Sequence, residues 1–470
     1  MTTSSTPAAE RLAAFVVGAS VPLAARPIAA RALLDTLGVT LAGSADPAPR
    51  AVQRVVAAEA AAPAAAVIGT PLRTSATLAA LANGTAAHAL DYDDMCFVSL
   101  AHPSAPLVAA ALAAGDATGA PASVLLDGYV IGFELEAILG RALNPAHYQR
   151  GWHCTSTIGT VGAAACVARI LGLDTDETAR ALAIAASEAS GLKENFGTMT
   201  KPLHAGLAAR NGVAAAQFAR AGVTASPAAI DGPQGMLTAM DASQRALDEE
   251  LAGLGTRWEI LETGITIKLY PSCAGTHPTL DAVLELRARH NMLADEVQSA
   301  TIAVDPITPT VLIYDRPVTG LEGKFSMPFC VAAALVDGRV DLETFEQARL
   351  DDPRIRALME RVEMIVDPAI GAGKPPLTQA RVEIRRRSGD LLSARADGAR
   401  GYPGRPAGRE ELAHKFLSCA RRALPADRAD ALLARLEQIE SVRDVRELTS
   451  LAAPTPGSAA SAARVRAYKP

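Results

Sequence analysis

A change of periodicity part-way along the chain, later reversed, constrains the fold more than any single motif. From the start to about residue 258 the apolar residues recur at helical spacing, as in Ile28, Leu33, Leu34, Leu37 and Leu41, and Gly43-Ser44 closes that run. After Trp258 the pattern alternates. Ile265–Leu269 and Ala300–Val304 read as strands, and the runs Ala380–Arg385 and Leu391–Arg395 flank Ser388-Gly-Asp390 as a hairpin. Helical patterns at 277–290, 325–336 and 353–362 interleave with them, and from Arg409 the chain turns helical again. The expected fold is mainly α with an α+β second domain: residues 1–262 and 404–470 form one large discontinuous helical domain, and residues 263–403 are inserted as a smaller α+β lid. An apolar set dominated by alanine, with only 4% aromatics, favours close-packed helices. Within the helical part, Gly159 and Gly162 give the segment 155–171 a face smooth enough for close helix contact, and Asp174-Thr-Asp-Glu177 reads as a capping box.

The net charge of -5 gives no overall attraction to nucleic acid or to an anionic membrane, so neither is expected as a partner. If the substrate is an anion, the positive charge that meets it is local. Six cysteines without CxxC spacing speak against a zinc site and against a disulfide scaffold. Glu10 and Arg11 precede the apolar stretch near the N-terminus, where a signal peptide carries only positive charge, so an amphipathic first helix and a cytoplasmic protein are expected. The most apolar runs are broken by Ala, Gly and Pro, and no membrane span is expected.

Lysine is scarce: of 45 basic residues only seven are lysines, at 193, 201, 268, 324, 374, 415 and 469. Arginine does the ordinary surface work. Four or five of the seven lysines are expected on the surface, but Lys201 and Lys268 keep unusual company, in Lys201-Pro-Leu-His204-Ala-Gly206 and Lys268-Leu-Tyr270-Pro-Ser-Cys-Ala-Gly-Thr-His277. An ammonium is a compact point charge, whereas guanidinium is larger and forked. Amines beside imidazoles at Pro/Gly-punctuated sites suggest an anion pocket that also moves protons.

Two more segments carry chemistry. In His88-Ala-Leu-Asp91-Tyr-Asp93-Asp94, three carboxylates in four residues repel one another unless something compensates, and His102-Pro-Ser104-Ala-Pro106 follows at the start of a helical run. Acid-base work, capping with a solvated histidine, and a metal site of Asp, Asp, His88 and His102 are the competing readings, the last without HExxH-like spacing to support it. Asp91-x-Asp93-Asp94 also matches the DxDD of class II terpene cyclases, but those pockets are aromatic-lined and this chain has two tryptophans. The other segment is Gly151-Trp-His153-Cys154-Thr155-Ser-Thr-Ile-Gly159, where His153 stands ahead of a helix whose hydroxyl-rich first turn suits a carboxylate. Cys154 reads as a small buried hydrophobe rather than a nucleophile. Tyr314-Asp-Arg316-Pro, after a third strand-like run, adds a phenol and a guanidinium.

The combination DYDD…HPSAP, GWHCTSTIG, GTMTKPLHAGLAARNG, KLYPSCAGTHP and KFSMPFCVAAAL, in this order across roughly residues 10–450, resembles the MmgE/PrpD family. That family includes 2-methylcitrate dehydratase, cis-aconitate decarboxylase and iminodisuccinate epimerase. The resemblance implies a helical domain built from both chain ends, an α+β lid, a homodimer, no metal or organic cofactor, and an active site between the domains. By motif match Asp91, His102, His153, Lys201, Lys268 and Tyr314 correspond to catalytic positions. Asp93, Ser104, Thr155, His204, Tyr270, His277 and Arg316 are expected to bind substrate. One departure concerns Met95, which stands where the decarboxylase branch carries a hydroxyl residue, with altered spacing to His102.

The expected function is a cofactor-independent lyase of the dehydratase type, acting on a small di- or tricarboxylate such as 2-methylcitrate through a carboxylate-stabilised carbanion. Lys201 and Lys268 would grip carboxylates, His102 and His153 would move protons, Asp91 would orient one of them, and Tyr314 would protonate. Epimerisation of an iminodisuccinate-like dicarboxylate and decarboxylation of the cis-aconitate type are the alternatives. A non-catalytic anion-binding protein is the remote one, opposed by four intact site segments.

Overall fold

The computed structural model describes residues 6–242, 244–371 and 378–454. The chain divides into two compact units: the described residues of Met1–Ala89, Asp93–Ile265 and Arg409–Pro470 form the first, and those of Leu90–Tyr92 and Thr266–Gly408 the second.

The first unit is helical. Its centre is made by Ala76–His88, Ser104–Thr118, Ala122–Leu143, Cys154–Leu171 and Thr200–Arg220, packed against one another with most of their residues buried. Small residues let these backbones approach. A Cβ on Gly84 would lie 2.9 Å from both the Ala205 carbonyl oxygen and the Gly206 Cα, so Ala76–His88 and Thr200–Arg220 touch backbone to backbone there. The smooth face expected around Gly159 and Gly162 is used in the same way. Gly162 faces Glu136 and the Gly132 carbonyl on Ala122–Leu143. The capping box at Asp174 is present, with Asp174 accepting from the Glu177 N–H at 2.8 Å. Near the other chain end, Arg409–Ala420 packs on Ala25–Gly43, where Phe416 lies over Gly38 and the Lys415 ammonium is 2.6 Å from Asp35.

The second unit carries a four-stranded mixed sheet in the order Val362–Val366, Val297–Val304, Ala380–Arg386, Leu391–Ala396. Val297–Val304 pairs in parallel with the first (Ala300 opposite Val362) and antiparallel with the third (Ile302 opposite Val382). The expected hairpin joins the last two, with Val382 opposite Ala394. Leu280, Val283 and Leu286 from His277–Arg289, and Phe329, Val331 and Leu335 from Met327–Asp337, pack against Ile302, Val382 and Ile384 as one core.

Three expectations fail. Ile265–Leu269 is not a strand: Ile265, Thr266, Ile267 and Lys268 are all buried, so the apolar alternation has no exposed face to match, and the segment is tied down by the Ile267 N–H on the Gly401 carbonyl at 3.0 Å. The run before Tyr314 is a 3-10 turn, Thr308–Thr310, because Pro309 offers no N–H to a ladder. The helix expected over 353–362 stops at Met359, and β-branched Val362, Ile365 and Val366 form a strand instead. Cys154–Leu171 is by length and composition long and apolar enough to cross a membrane, but 89% of it is buried inside the protein as a core helix.

Candidate active site

Three helix starts in the first unit bring imidazoles and an ammonium together. His102 precedes Pro103 and the helix Ser104–Thr118, His153 is the N-cap of Cys154–Leu171, and Lys201 lies in the first turn of Thr200–Arg220. The His102 N–H donates to Thr155 Oγ1 at 3.0 Å, which ties the first start to the second. His153 and His204 approach through their Nδ1 atoms at 3.1 Å, which ties the second to the third. His88, the last residue of Ala76–His88, completes the group, with its ring 4.6 Å from that of His102 and 5.7 Å from that of His153. The Phe196 ring meets His153 edge-on at 5.0 Å and has the Lys201 ammonium 5.3 Å from its centroid. A cation in a helix's first turn opposes the helix dipole, so Lys201 does not sit there for helix stability.

Asp93 faces two of these rings. Its Oδ2 is 2.7 Å from His88 Nδ1 and 3.4 Å from His102 Nδ1, and its side chain is fully buried. Burial alone would raise its pKa, but His88 and His102 outweigh that and hold Asp93 well below the usual carboxylate range. Burial lowers His88 to about 4, with Asp93 opposing and Lys201 adding to the shift. Burial also pushes His153 well below the ordinary imidazole value, aided by His88 and Lys201, and lowers His204 in the same way. Burial thus leaves His88, His153 and His204 as neutral imidazoles near one anion and one ammonium.

The three adjacent carboxyls avoid mutual repulsion by three different means. Asp93 is ionised and held by imidazoles. Burial raises Asp94 to about 8 against the hydrogen bonds from Ser104, so it is protonated at neutral pH. Asp91, in the second unit, is neutralised by Lys268, whose ammonium is 2.9 Å from the Asp91 carboxylate and 3.0 Å from its carbonyl. Asp91 has φ 51°, a left-handed conformation that turns both of its oxygens to the same ammonium. His277 lies in this unit too, fully buried, with its Nε2 3.0 Å from the Ser272 carbonyl. Burial and then the Lys268 charge lower it to about 3.

Several expected roles change. Asp93, expected to bind substrate, is bonded to His88 and lies 3.4 Å from His102 Nδ1, while Asp91 is held by Lys268. Ser104 is buried with its hydroxyl engaged by Asp94 and by Tyr129, the latter at 2.6 Å. Thr155 holds the His102 backbone, and His204 backs His153; neither offers a substrate contact in the way expected. Tyr270 turns its hydroxyl to Asp281 at 2.6 Å and to the Arg400 guanidinium at 3.1 Å. It lines a cavity of about 490 Å³ in the second unit with those two residues. Arg316 is exposed and paired with Glu360 at 2.9 Å, and Tyr314 is half-buried with burial raising its pKa.

The expectation of mostly surface lysines is overturned. Lys374 and Lys469 lie outside the described residues. Of the other five, Lys201, Lys268, Lys324 and Lys415 are buried, and Lys193 is half-buried with its ammonium 3.2 Å from the Tyr148 carbonyl. Lys324 donates to the Leu90 carbonyl within the second unit.

Residues 10–247 match the MmgE/PrpD N-terminal domain and residues 270–440 the MmgE/PrpD C-terminal domain. The chain belongs to the MmgE/PrpD family. Its relatives include cis-aconitate decarboxylase of Homo sapiens, 27% identical over 416 residues that cover 86% of this chain and 85% of the relative. The Mus musculus cis-aconitate decarboxylase is 27% identical over 421 residues, covering 86% and 84%. That of Aspergillus terreus is 25% identical over 377 residues, covering 75% and 76%.

Within this MmgE/PrpD chain, sequence reasoning left His88 out of the site. The signal was there: an imidazole five positions before Asp93 at the end of an alanine-rich helix. What the sequence did not show is that the chain turns back after Ala89, so that His88 and Asp93 face each other.

Proposed function

We propose that the protein is a cofactor-independent lyase that removes CO2 from a small unsaturated tricarboxylate of the cis-aconitate kind. The observation that carries this reading is the meeting of three helix starts around neutral imidazoles and the Lys201 ammonium. Helix N-termini and an ammonium both favour an anion. Decarboxylase relatives matching 86% of the chain support the reaction type.

The chemistry has one difficult point. As the C–COO bond breaks, its electron pair stays on carbon and is stabilised only by a neighbouring carboxylate. Lys201 holds that carboxylate and meets the developing charge without reorganising, an effect worth about 3–4 kcal/mol for a single well-placed donor. The proton that quenches the pair comes from water, taken up at the bare nitrogen of His102 or His153 and passed on to carbon. Asp93 keeps His102 in one tautomer. Buried, neutral rings suit this work because they exchange protons without bringing a second fixed charge to the site.

A second reading, dehydration of a 2-methylcitrate-like acid, is favoured by Met95, half-buried where a hydroxyl residue stands in the decarboxylase branch. There an imidazole takes the proton alpha to the carboxylate and hands it to the departing hydroxide, which leaves as water. Incubation of the purified protein with cis-aconitate, 2-methylcitrate, citrate and iminodisuccinate, with a chelator present throughout, separates the readings. CO2 release from cis-aconitate supports decarboxylation. Appearance of a conjugated double bond from 2-methylcitrate without CO2 supports dehydration. Turnover of none of the four by a folded protein contradicts both.

A further inference from the structure

We propose that His88 is a positioning residue for this reaction: acting through Asp93, it fixes which nitrogen of His102 carries the hydrogen and which is left as the base. The proposal rests on the reading of His102 as an acid-base group.

A carboxylate oxygen can only accept. His88 Nδ1 is bonded to Asp93 Oδ2 at 2.7 Å and so carries a hydrogen, while His102 Nδ1 lies 3.4 Å from the same oxygen without a formed hydrogen bond, near enough for the carboxylate to favour a hydrogen on that nitrogen. His102 therefore presents Nε2 as its lone pair. Which tautomer a histidine adopts is set by the hydrogen bond that its other nitrogen makes. At His102 the preference depends on where the nearby carboxylate points. Asp93 Oδ1 has no hydrogen-bond partner among the described residues, and the side chain is fully buried. The short bond to His88 is what keeps Oδ2 in place.

His88 suits the task. It is fully buried and its pKa lies at about 4, so it stays a neutral donor at neutral pH. Its Nε2, with the lone pair, has no hydrogen-bond partner among the described residues, so no competing bond rotates the ring. Asp93, His102 and Lys201 act on its charge, and His153 is stacked on its ring.

The test uses protein labelled with 15N-histidine, with His102 assigned by the signal lost in His102→Gln. Wild type is expected to show His102 protonated at Nδ1 and bare at Nε2. His88→Leu, which cannot donate, is expected to lose that preference, while His88→Asn, whose amide reaches the same oxygen, keeps it. With substrate, His88→Leu should lower kcat about 10- to 100-fold with KM within about threefold, and His88→Asn should recover most of the loss. An unchanged His102 tautomer in folded His88→Leu overturns the proposal, whatever the substrate. If His88→Leu does not fold, His88→Gln replaces it, since its longer amide overshoots Asp93; identical His102 signals in the Asn and Gln variants overturn the proposal equally. A tautomer change in protein that turns over none of the four acids supports this inference while contradicting the proposed reaction.

Discussion

The Nδ1 atoms of His153 and His204 face each other at 3.1 Å. Burial lowers both imidazoles, so at neutral pH each is uncharged, and one must donate to the other. His204 is thus a buried partner that holds the orientation of the His153 ring.

His204→Leu removes that partner. Steady-state kinetics on the substrate found for the wild type should show kcat lower by about tenfold or more, with a smaller change in KM, because the loss falls on proton transfer rather than on binding. His204→Asn, which can still donate or accept near the same point, should lose less. Equal kinetics in His204→Leu and wild type would remove His204 from the site.

Asp94 makes stability depend on pH with a definite sign. Its pKa is about 8 when folded and about 3.9 in an unfolded chain. Between those values the folded protein holds one more proton. The stability it contributes is full below the unfolded pKa and is lost as pH rises, by about 1.4 kcal/mol per pH unit, until the slope ends above about pH 8. Asp94→Asn carries no such proton. Thermal unfolding from about pH 5 to about pH 9 should therefore show wild-type Tm falling relative to the variant up to about pH 8, then running parallel. A constant difference would mean that Asp94 is ionised throughout.

Much of this was legible in the sequence. The switch after Trp258 and its reversal near Arg409 marked the change from helix to mixed sheet and back, and the hairpin and capping box lay where their residues placed them. Lys201, His102 and His153 stood out by company and spacing, and they fall together at helix starts. The errors have a common physical source. Asp91 and Asp93 are two residues apart, and only the backbone, left-handed at Asp91, decides which meets Lys268 and which meets the imidazoles. Ile265–Leu269 alternates like a strand but is covered on both faces. Ser104 and Thr155 carry hydroxyls that serve equally for substrate or for neighbours, and sequence alone does not distinguish the two. Periodicity reports which residues are buried together; it does not report the direction in which a buried polar atom points.

The Lys415–Asp35 pair tests the inference that lysines here are not surface decoration. Both are buried, 2.6 Å apart, where Arg409–Ala420 meets Ala25–Gly43. Lys415→Met leaves a carboxyl without its partner and should cost about 3–5 kcal/mol. The double variant Asp35→Leu, Lys415→Met should recover most of that, because a buried pair replaced by apolar groups is often neutral. Denaturant midpoints of the three proteins measure this, and a single variant as stable as wild type would contradict it.

The most direct test of the central claim is the turnover of Lys201→Arg. Arginine serves wherever this chain needs only a positive charge, so Lys201, buried in a helix's first turn beside neutral imidazoles, is there as a compact ammonium. A guanidinium would displace the bound carboxylate by about an ångström. On the substrate identified for the wild type, kcat/KM of Lys201→Arg should fall at least about 100-fold, or about 2.7 kcal/mol of transition-state stabilisation, close to the loss in Lys201→Ala. If folded Lys201→Arg keeps more than about a tenth of wild-type turnover, Lys201 supplies charge alone, and the account of a shaped anion site built around it is wrong.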